Sequence, residues 1–546
     1  MKHLILSFIL GCACLTTSAA IGDEFTLNGL TYIVKSGNTV GVSSASNDVI
    51  DCVIPQTVNN NNTDYTVVSI EKDAFYWSNI KSVSLPSTIT TIGYGAFRSS
   101  PLASINLPAE LTSIGEYAFY KTELTSISIP EGVTTIEAST FSQCTYLNEI
   151  NLPGTLQKIG QGAFYKSGLT SLAIPASCSS LAMYAFENCP NLAQVSLPDG
   201  LTEIPMGLFQ DCTSLSQINI PESVTTIKEA AFQNTGLTSI HFPKNVSAIQ
   251  ANSFNDTALE TISVDESNTT FTLIDGALYT TDKRFIYLYP RVTTSKKYDI
   301  IDGCVAVWGG AFYGCDITTV TFPDNFIGID AFGFCYSQLE TIDLPSSIEA
   351  IWEQAFAGTK LTTVTVPEGV TELSDAIFGD CKSLKTVTLP SGLTDVGNRA
   401  FFRCTALETI NCLGKVPAEF DAWETYTDPF YGVDCTKITV NCPIDVVEEY
   451  KLSEWGDFFT NIVGIDFNGV SDNLINKNSI SSNDGVISIN IFDGNNYDVI
   501  ITSINGSVIY NVANVNNNFN SSNMPHGIYI VTLKGDKTSI TQKVIL

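Results

Sequence analysis

The chain has 546 residues, with 56 acidic against 27 basic side chains, 44% hydrophobic residues, 15 cysteines and three histidines. A formal net charge of −29 repels phosphate backbones and anionic bilayers, which sets aside nucleic acid and peripheral membrane partners. The apolar content is enough for a core over most of the chain, while only 15% of residues are charged, so much of the exterior is neutral and polar.

Lys2, an apolar run from Leu4 to Leu15 and the small residues Thr17, Ser18, Ala19 and Ala20 read as a secretory signal peptide over residues 1–20. A lipid-anchor reading of Ile9-Leu10-Gly11-Cys12 fits less well, because Leu10 suits that position poorly. No later stretch is apolar enough for a transmembrane helix. From Phe75 an Ala-Phe-like pair then recurs at Phe97, Phe119, Phe141, Phe164, Phe186, Phe209, Phe232 and Phe254, and again at Phe312, Phe332, Phe356, Phe378 and Phe401. The steps are 22 or 23 residues, apart from a 20, a 24 and one jump of 58. Between the phenylalanines runs Leu-x-x-Ile-x-Ile-Pro, a turn, an apolar pair such as Val133 and Ile136, then Ala-Phe-x-x-Cys. A repeat of this length buries its apolar side only against its neighbours, so the fold class is a repeat solenoid. Ile127-Ser128-Ile129 alternates with period 2 and predicts a short strand that Pro130 ends. The unit is too short for a long crossover helix, so Ala118-Phe119 belongs to a helical turn or a tight irregular return.

Leu152-Pro153, Leu156, Ile159 and Ala163-Phe164 follow the pattern of the BspA-like leucine-rich-repeat surface proteins, and residues 24–466 resemble that family. The resemblance implies a leucine-rich-repeat parallel-sheet horseshoe with short helical turns, exported to the cell surface and active in adhesion and protein binding. It places a β-rich N-terminal cap at 21–66, repeats at 67–264 and 304–412, a β-hairpin insertion at 265–303, and a C-terminal cap at 413–466. An Asn- and Ser-rich linker occupies 467–485. Residues 486–546 alternate like strands at Ile487 to Ile491, Val499 to Ile501 and Ile528 to Val531, with a hairpin-type turn at Ile504-Asn505-Gly506. With Pro525-His526-Gly527-Ile528-Tyr529 and the terminal Lys543-Val544-Ile545-Leu546, this all-β, sandwich-like segment resembles a type IX secretion sorting domain. That resemblance implies a secretion translocon as a partner, and an outer-membrane-associated or released product.

Cys144, Cys189, Cys212, Cys315, Cys335, Cys381 and Cys404 stand three residues after the repeat phenylalanine, where other repeats carry Ser or Thr. A slot open to a hydroxyl wants a small hydrogen-bonding side chain, so these read as buried reduced thiols rather than disulfides or metal ligands. Cys412, Cys435 and Cys442, outside the slot, are better disulfide candidates in an exported protein. His241 has no partner implied by sequence, and no nucleophile elbow, zinc signature or calcium loop is present. We expect no enzyme, no cofactor and no metal site.

The outward strand residues, from Ser82 and Ser84 through Ser126 and Ser128 to Thr386 and Thr388, form a hydroxyl-rich face suited to extended proteins or glycans. Two patches stand out against it. Tyr76, Tyr120, Tyr165 and Tyr313 each follow the repeat phenylalanine and should project from one lateral surface, either anchoring a partner or packing between repeats. Lys283, Arg284, Arg291, Lys296 and Lys297 crowd the insertion beside Phe285, Tyr287 and Tyr289, with no acidic residue between them. That segment is the preferred contact for an acidic partner. The function expected is protein binding at the surface of a host cell, a neighbouring cell or the matrix, with glycan binding as the alternative.

Overall fold

A computed structural model describes residues 20–420 and 428–465 and, in the C-terminal region, the strands between 478 and 545 with part of their connections. Residues 1–19, which the sequence analysis reads as signal peptide, linker residues 471–477, the turn expected at 504–506, His526, Gly527 and Leu546 lie outside the described residues. The chain falls into two compact units, the larger holding residues 1–385, 395–407 and 420–433.

The larger unit opens on a sheet in which Glu24–Leu27, Leu30–Val34 and Thr39–Ala45 run antiparallel and Thr63–Ile70 joins the last of them in parallel. Ile70 then pairs with Ile92, and Ile92 with Ile114, so this cap passes directly into the repeats. Most repeats supply a first short strand such as Ser126–Ser128 and a second such as Thr135–Ile136, and both of these pair in parallel with their counterparts one repeat on. In one coil, Leu124, Ile127, Ile129, Val133, Ile136 and Phe141 are all buried, while Ser126 and Ser128 face outward. The period-2 alternation thus holds over three residues and ends where Pro130 removes a donor.

The return is the tight irregular form. The residues two before and two after each repeat phenylalanine have positive φ in all fourteen returns, as at Tyr117 (φ 56°) and Lys121 (φ 54°) around Phe119. Left-handed backbone costs a residue other than glycine roughly 1–2 kcal/mol. Inter-coil hydrogen bonds offset it: the N–H groups of Asp73, Phe75 and Trp77 donate to the carbonyls of Tyr94, Ala96 and Arg98 on the next coil, at 2.9, 2.7 and 3.1 Å.

The phenylalanines stack in a column. From Phe75 to Phe254, neighbouring ring centroids lie 5.1–5.8 Å apart and nearly parallel. A second run joins Phe312, Phe334, Phe356, Phe378, Phe401 and Phe430. This corrects the sequence register at one place, since Phe334 and not Phe332 is the column residue. Phe332 instead occupies a left-handed position (φ 59°) and is half-buried. The preceding residue is Gly333 rather than alanine, because a Cβ there would meet Ile329 Cγ2 at 2.7 Å. The irregular steps of 20 and 24 thereby become two steps of 22.

Residues 265–303 contain Phe271–Ile274, Ala277–Thr280 and Phe285–Leu288 as an antiparallel meander whose last strand rejoins the second ladder beside Ala306–Val307. Lys297–Asp299 joins the first ladder beside Thr319–Thr321. Tyr289 takes the column position, with its N–H on Ala311 O at 2.9 Å and its ring 5.1 Å from Phe312. The jump of 58 therefore hides one coil built on a tyrosine.

The second unit holds residues 386–394, 408–419 and 434–546. Thr386–Leu389, Thr409–Cys412, Thr439–Pro443 and Asn461–Ile465 pair in parallel. The helices Val447–Leu452 and Glu454–Phe458 close this end, anchored by Tyr450 Oη donating to Gly414 O at 3.0 Å and Trp455 Nε1 to Ala418 O at 2.9 Å. Beyond them, Asn478–Asn483, Val486–Ile491 and Phe519–Asn520 form one antiparallel sheet. Val508–Val515, Tyr497–Ser503, Ile528–Lys534 and Ser539–Ile545 form another, also antiparallel. The two share a core that includes Ile487, Ile489, Val499, Ile501, Val531 and Leu533.

The register correction makes a sharp expectation. Phe334→Ala should destabilise the chain by about 3–5 kcal/mol, as for a core phenylalanine, and Phe332→Gly by less than about 1 kcal/mol. Urea unfolding of the two variants checks it, and equal losses would contradict the assignment.

Candidate functional site

The cysteine slot is structural. Cys144, Cys189, Cys212, Cys315, Cys381 and Cys404 are buried free thiols, whereas Cys335 follows Phe334 directly and Ser337 fills its slot. Most hydroxyls in the slot donate to the phenylalanine carbonyl of their own coil, as Thr122 does to Phe119 O at 3.0 Å, whereas Ser167 bonds Cys189 Sγ and the buried Ser337 Oγ has no hydrogen-bond partner among the described residues. Thiols reach back one coil: Cys144 Sγ also donates to Phe119 O, at 3.0 Å, and Cys404 Sγ to Phe378 O, at 3.0 Å. Cys412 and Cys442 are likewise buried free thiols, not bridged to one another.

On the outward strand face the side chains bond to one another along the ladder. Asn151 Nδ2 donates to Ser128 Oγ at 3.1 Å, and Asn441 Nδ2 to Asn411 Oδ1 at 2.7 Å. His241, read as isolated in the sequence, lies 3.0 Å from Ser263 Oγ through Nδ1. Parallel register brings these two residues together across adjacent strands. Among the described residues no group of three or more His, Cys, Asp or Glu is arranged to hold a metal ion.

The four tyrosines do not share one environment. Arg98 sits over the rings of Tyr76, Tyr117 and Tyr120, with its guanidinium carbon 5.4–5.6 Å from each centroid, so the chain's own cation covers two of the four. Tyr76 nonetheless stays 47% exposed, beside Trp77 at 73%. Lys166 lies 5.1 Å over Tyr165. Tyr313 packs edge-on against Tyr336 at 5.7 Å, and burial together with the Asp256 carboxylate pushes its phenol up. The signal that sequence reading passed over is the second tyrosine column, Tyr117 and Tyr184, two residues before the phenylalanine.

The cations of the insertion separate into two groups. Arg291 donates through Nε to Gly314 O at 3.1 Å and through Nη1 to Thr257 O at 3.2 Å, and lies 3.6 Å from Asp256. Lys296 pairs with Asp316, and Lys297 with Asp299 at 2.8 Å. These acids come from neighbouring coils or from just outside the basic stretch, where the sequence gives no sign of them. Lys283 and Arg284 are exposed at the turn before Phe285, and neither forms a side-chain ion pair among the described residues. Tyr287 is half-buried and stacks on Trp308 at 4.8 Å. Tyr289 is only 7% exposed, as its place in the column requires.

Two parallel ladders on a shared ring column, with one extra hairpin and a separate antiparallel C-terminal region, define a leucine-rich-repeat solenoid protein. Residues 68–193, 157–282 and 307–419 match the BspA type leucine rich repeat region, and the chain belongs to that family. Residues 482–546 match the secretion system C-terminal sorting domain, which marks the protein for secretion and attachment at the cell surface. Similar solved structures include a leucine rich cell surface protein from Faecalibacterium prausnitzii, 26% identical with a TM-score of 0.49, covering 74% of this chain and 98% of that one. A leucine-rich repeat protein from Bacteroides ovatus is 24% identical with a TM-score of 0.40, covering 71% and 94%. The pneumococcal vaccine antigen PcpA is 18% identical with a TM-score of 0.43, covering 82% and 100%. No curated protein matches the chain. The matched families are repeat and sorting modules, not enzyme families. Among the described residues no helix is long and apolar enough to cross a membrane.

Two expectations follow from these contacts. Arg291→Ala strands two backbone carbonyls and one carboxylate, and should cost about 1–3 kcal/mol in urea unfolding. Burial pushes the thiols of Cys52, Cys144 and Cys304 up to about 11, whereas an unfolded thiol ionises near about 8.5. The folded chain holds these protons more tightly, so their contribution is complete below the unfolded value and is lost as pH rises towards 11. The urea midpoint should therefore fall on going from about pH 7.5 to about pH 10, and Cys144→Ser should lessen the fall; an unchanged midpoint would refute the account.

Proposed function

We propose that this exported surface protein binds other proteins and acts as an adhesin, with the turn at Lys283 and Arg284 as its contact for an acidic partner. The observation that carries the reading is the sorting of the basic cluster. Three of its five cations are held by Asp256, Asp316 and Asp299, while two remain exposed on a hairpin that leaves the regular coil. On a chain of net charge −29, two exposed cations beside Phe285 form a local positive point where an acidic partner is attracted instead of repelled. Arg284 lies over the Phe285 ring at 5.6 Å, which holds the guanidinium outward on an apolar support. The parallel ladders supply a stiff base for the hairpin, so little order has to be gained on binding.

A panel of host-cell and matrix proteins, captured on the full chain, identifies the partner. The double substitution Lys283→Glu with Arg284→Glu should then weaken capture of an acidic partner roughly tenfold or more, and the wild-type affinity should fall with added salt. Unchanged affinity would remove this turn as the contact. Lys297→Glu, at a position already paired, should have a smaller effect on binding.

A further inference from the structure

We infer that the side of the solenoid between Tyr117 and Tyr184 is a saccharide subsite that takes a neutral pyranose ring of a glycan. The proposal is separate from the protein contact at the insertion and does not depend on it.

The site arises from one position of the repeat. Two residues before the phenylalanine, successive coils carry Tyr117, Ser139, Gly162 and Tyr184, all left-handed, with φ of 56°, 55°, 57° and 59°. Tyr117 leans back against Tyr94 on the preceding coil, at 5.5 Å, and Tyr184 leans over Gly207 on the following coil. The two tyrosines stand as posts three coils apart, about 14 Å at strand spacing, and the small residues between them leave a gap. One residue after the phenylalanine the same coils place Ser142, Tyr165 and Glu187 along the edge of this gap. Together they line a groove of about 340 Å³, within the range of about 300–1,000 Å³ usual for small-molecule sites.

The groove is preformed. Its floor is tied coil to coil by Ser139 N donating to Gln161 O at 3.0 Å, Lys121 N to Ser142 O at 2.8 Å and Gly162 N to Met183 O at 3.3 Å. The Tyr184 ring is fixed by its hydroxyl on Met206 Sδ at 3.1 Å. At Gly162 an added Cβ would come no closer than 3.7 Å to any neighbouring atom, so the gap has room that the protein does not use.

The chemistry selects the ligand. A pyranose presents a face of C–H bonds, which packs on aromatic rings, and a rim of hydroxyls that need donors and acceptors. Here the rings belong to Tyr117, Tyr165 and Tyr184, the first two with Arg98 and Lys166 over one face each, and the polar rim is made of Ser139, Ser142, Gln161 and Glu187. Glu187 is the only charged residue in the lining, and the nearby Lys166 is held over the Tyr165 ring at 5.1 Å, where the Glu187 carboxylate offsets its charge. Acidic sugars and phosphates are thus disfavoured, and a carboxylate that accepts two hydroxyls suits a neutral ring.

The test titrates the full chain with the methyl glycosides of glucose, galactose, mannose and N-acetylglucosamine by ligand-observed NMR. At least one should bind, and Tyr165→Ala should weaken it roughly tenfold by removing a ring. Gly162→Tyr should abolish binding by filling the gap with a side chain that the same backbone conformation already carries at 117 and 184. Tyr313→Ala, at the matching position of a distant coil, should change nothing. Thermal unfolding of each variant confirms that it is folded. The inference is overturned if none of the four glycosides binds, or if binding survives both groove variants. It is equally overturned if those variants lower only protein capture, which would make the groove a peptide contact. Lys283→Glu with Arg284→Glu should leave the sugar titration unchanged, so the two proposals fail independently.

Discussion

The larger unit depends on a single repeated contact, the stacking of one aromatic ring per coil. A coil of 22 or 23 residues has too little apolar surface to bury by itself. Phe119, Phe141 and Phe164 are 0% exposed because each is covered by the rings above and below it. Ring separations of 5.4 and 5.5 Å along these coils are slightly wider than the spacing of about 4.8 Å between strands. The rings meet that spacing by lying offset, an arrangement aromatic pairs favour over a direct sandwich. Where the sequence departs from the repeat the contact is still kept: Tyr289 occupies the place of a phenylalanine and Phe430 extends the stack past Phe401.

The column also decides what the molecule displays. To bring each ring inward within so few residues, the chain alternates left-handed and right-handed backbone around it, which elsewhere would favour glycine. The N–H groups released on one side are taken up by the next coil, so the strain is shared by a ladder rather than borne by one turn. Large side chains therefore stand at positive φ, among them Trp77, Lys121, Tyr184 and Tyr336. The returns consequently hold much of the aromatic exterior, whereas the strand face is occupied by hydroxyls and amides that bond along their own rows. Surface recognition on this scaffold belongs more to returns and insertions than to the flat sheet.

How legible this was depended on the range of each interaction. Ala163-Phe164 and Leu152-Pro153 lie within one period, so the repeat, the strands and the sorting domain could all be read from local pattern. Phe332 misled because Ala331-Phe332 imitates the local signal, while the true pair, Gly333-Phe334, is chosen by the close approach of Ile329. Tyr289 was missed because a hydroxyl on the ring disguises a column residue. The basic cluster looked uncompensated because Asp256 and Asp316 belong to other coils.

Sequence alone determined the solenoid, the period, the burial of the thiols and the C-terminal sorting domain, since each is a property of one repeat or one module considered by itself. Only the tertiary structure decided which cations remain exposed, which tyrosines are covered by Arg98, and where two small residues open a groove between Tyr117 and Tyr184. Those outcomes depend on the residues that successive coils bring side by side, 22 or 23 positions apart. Local periodicity fixes that distance but does not say what the neighbouring side chain will do.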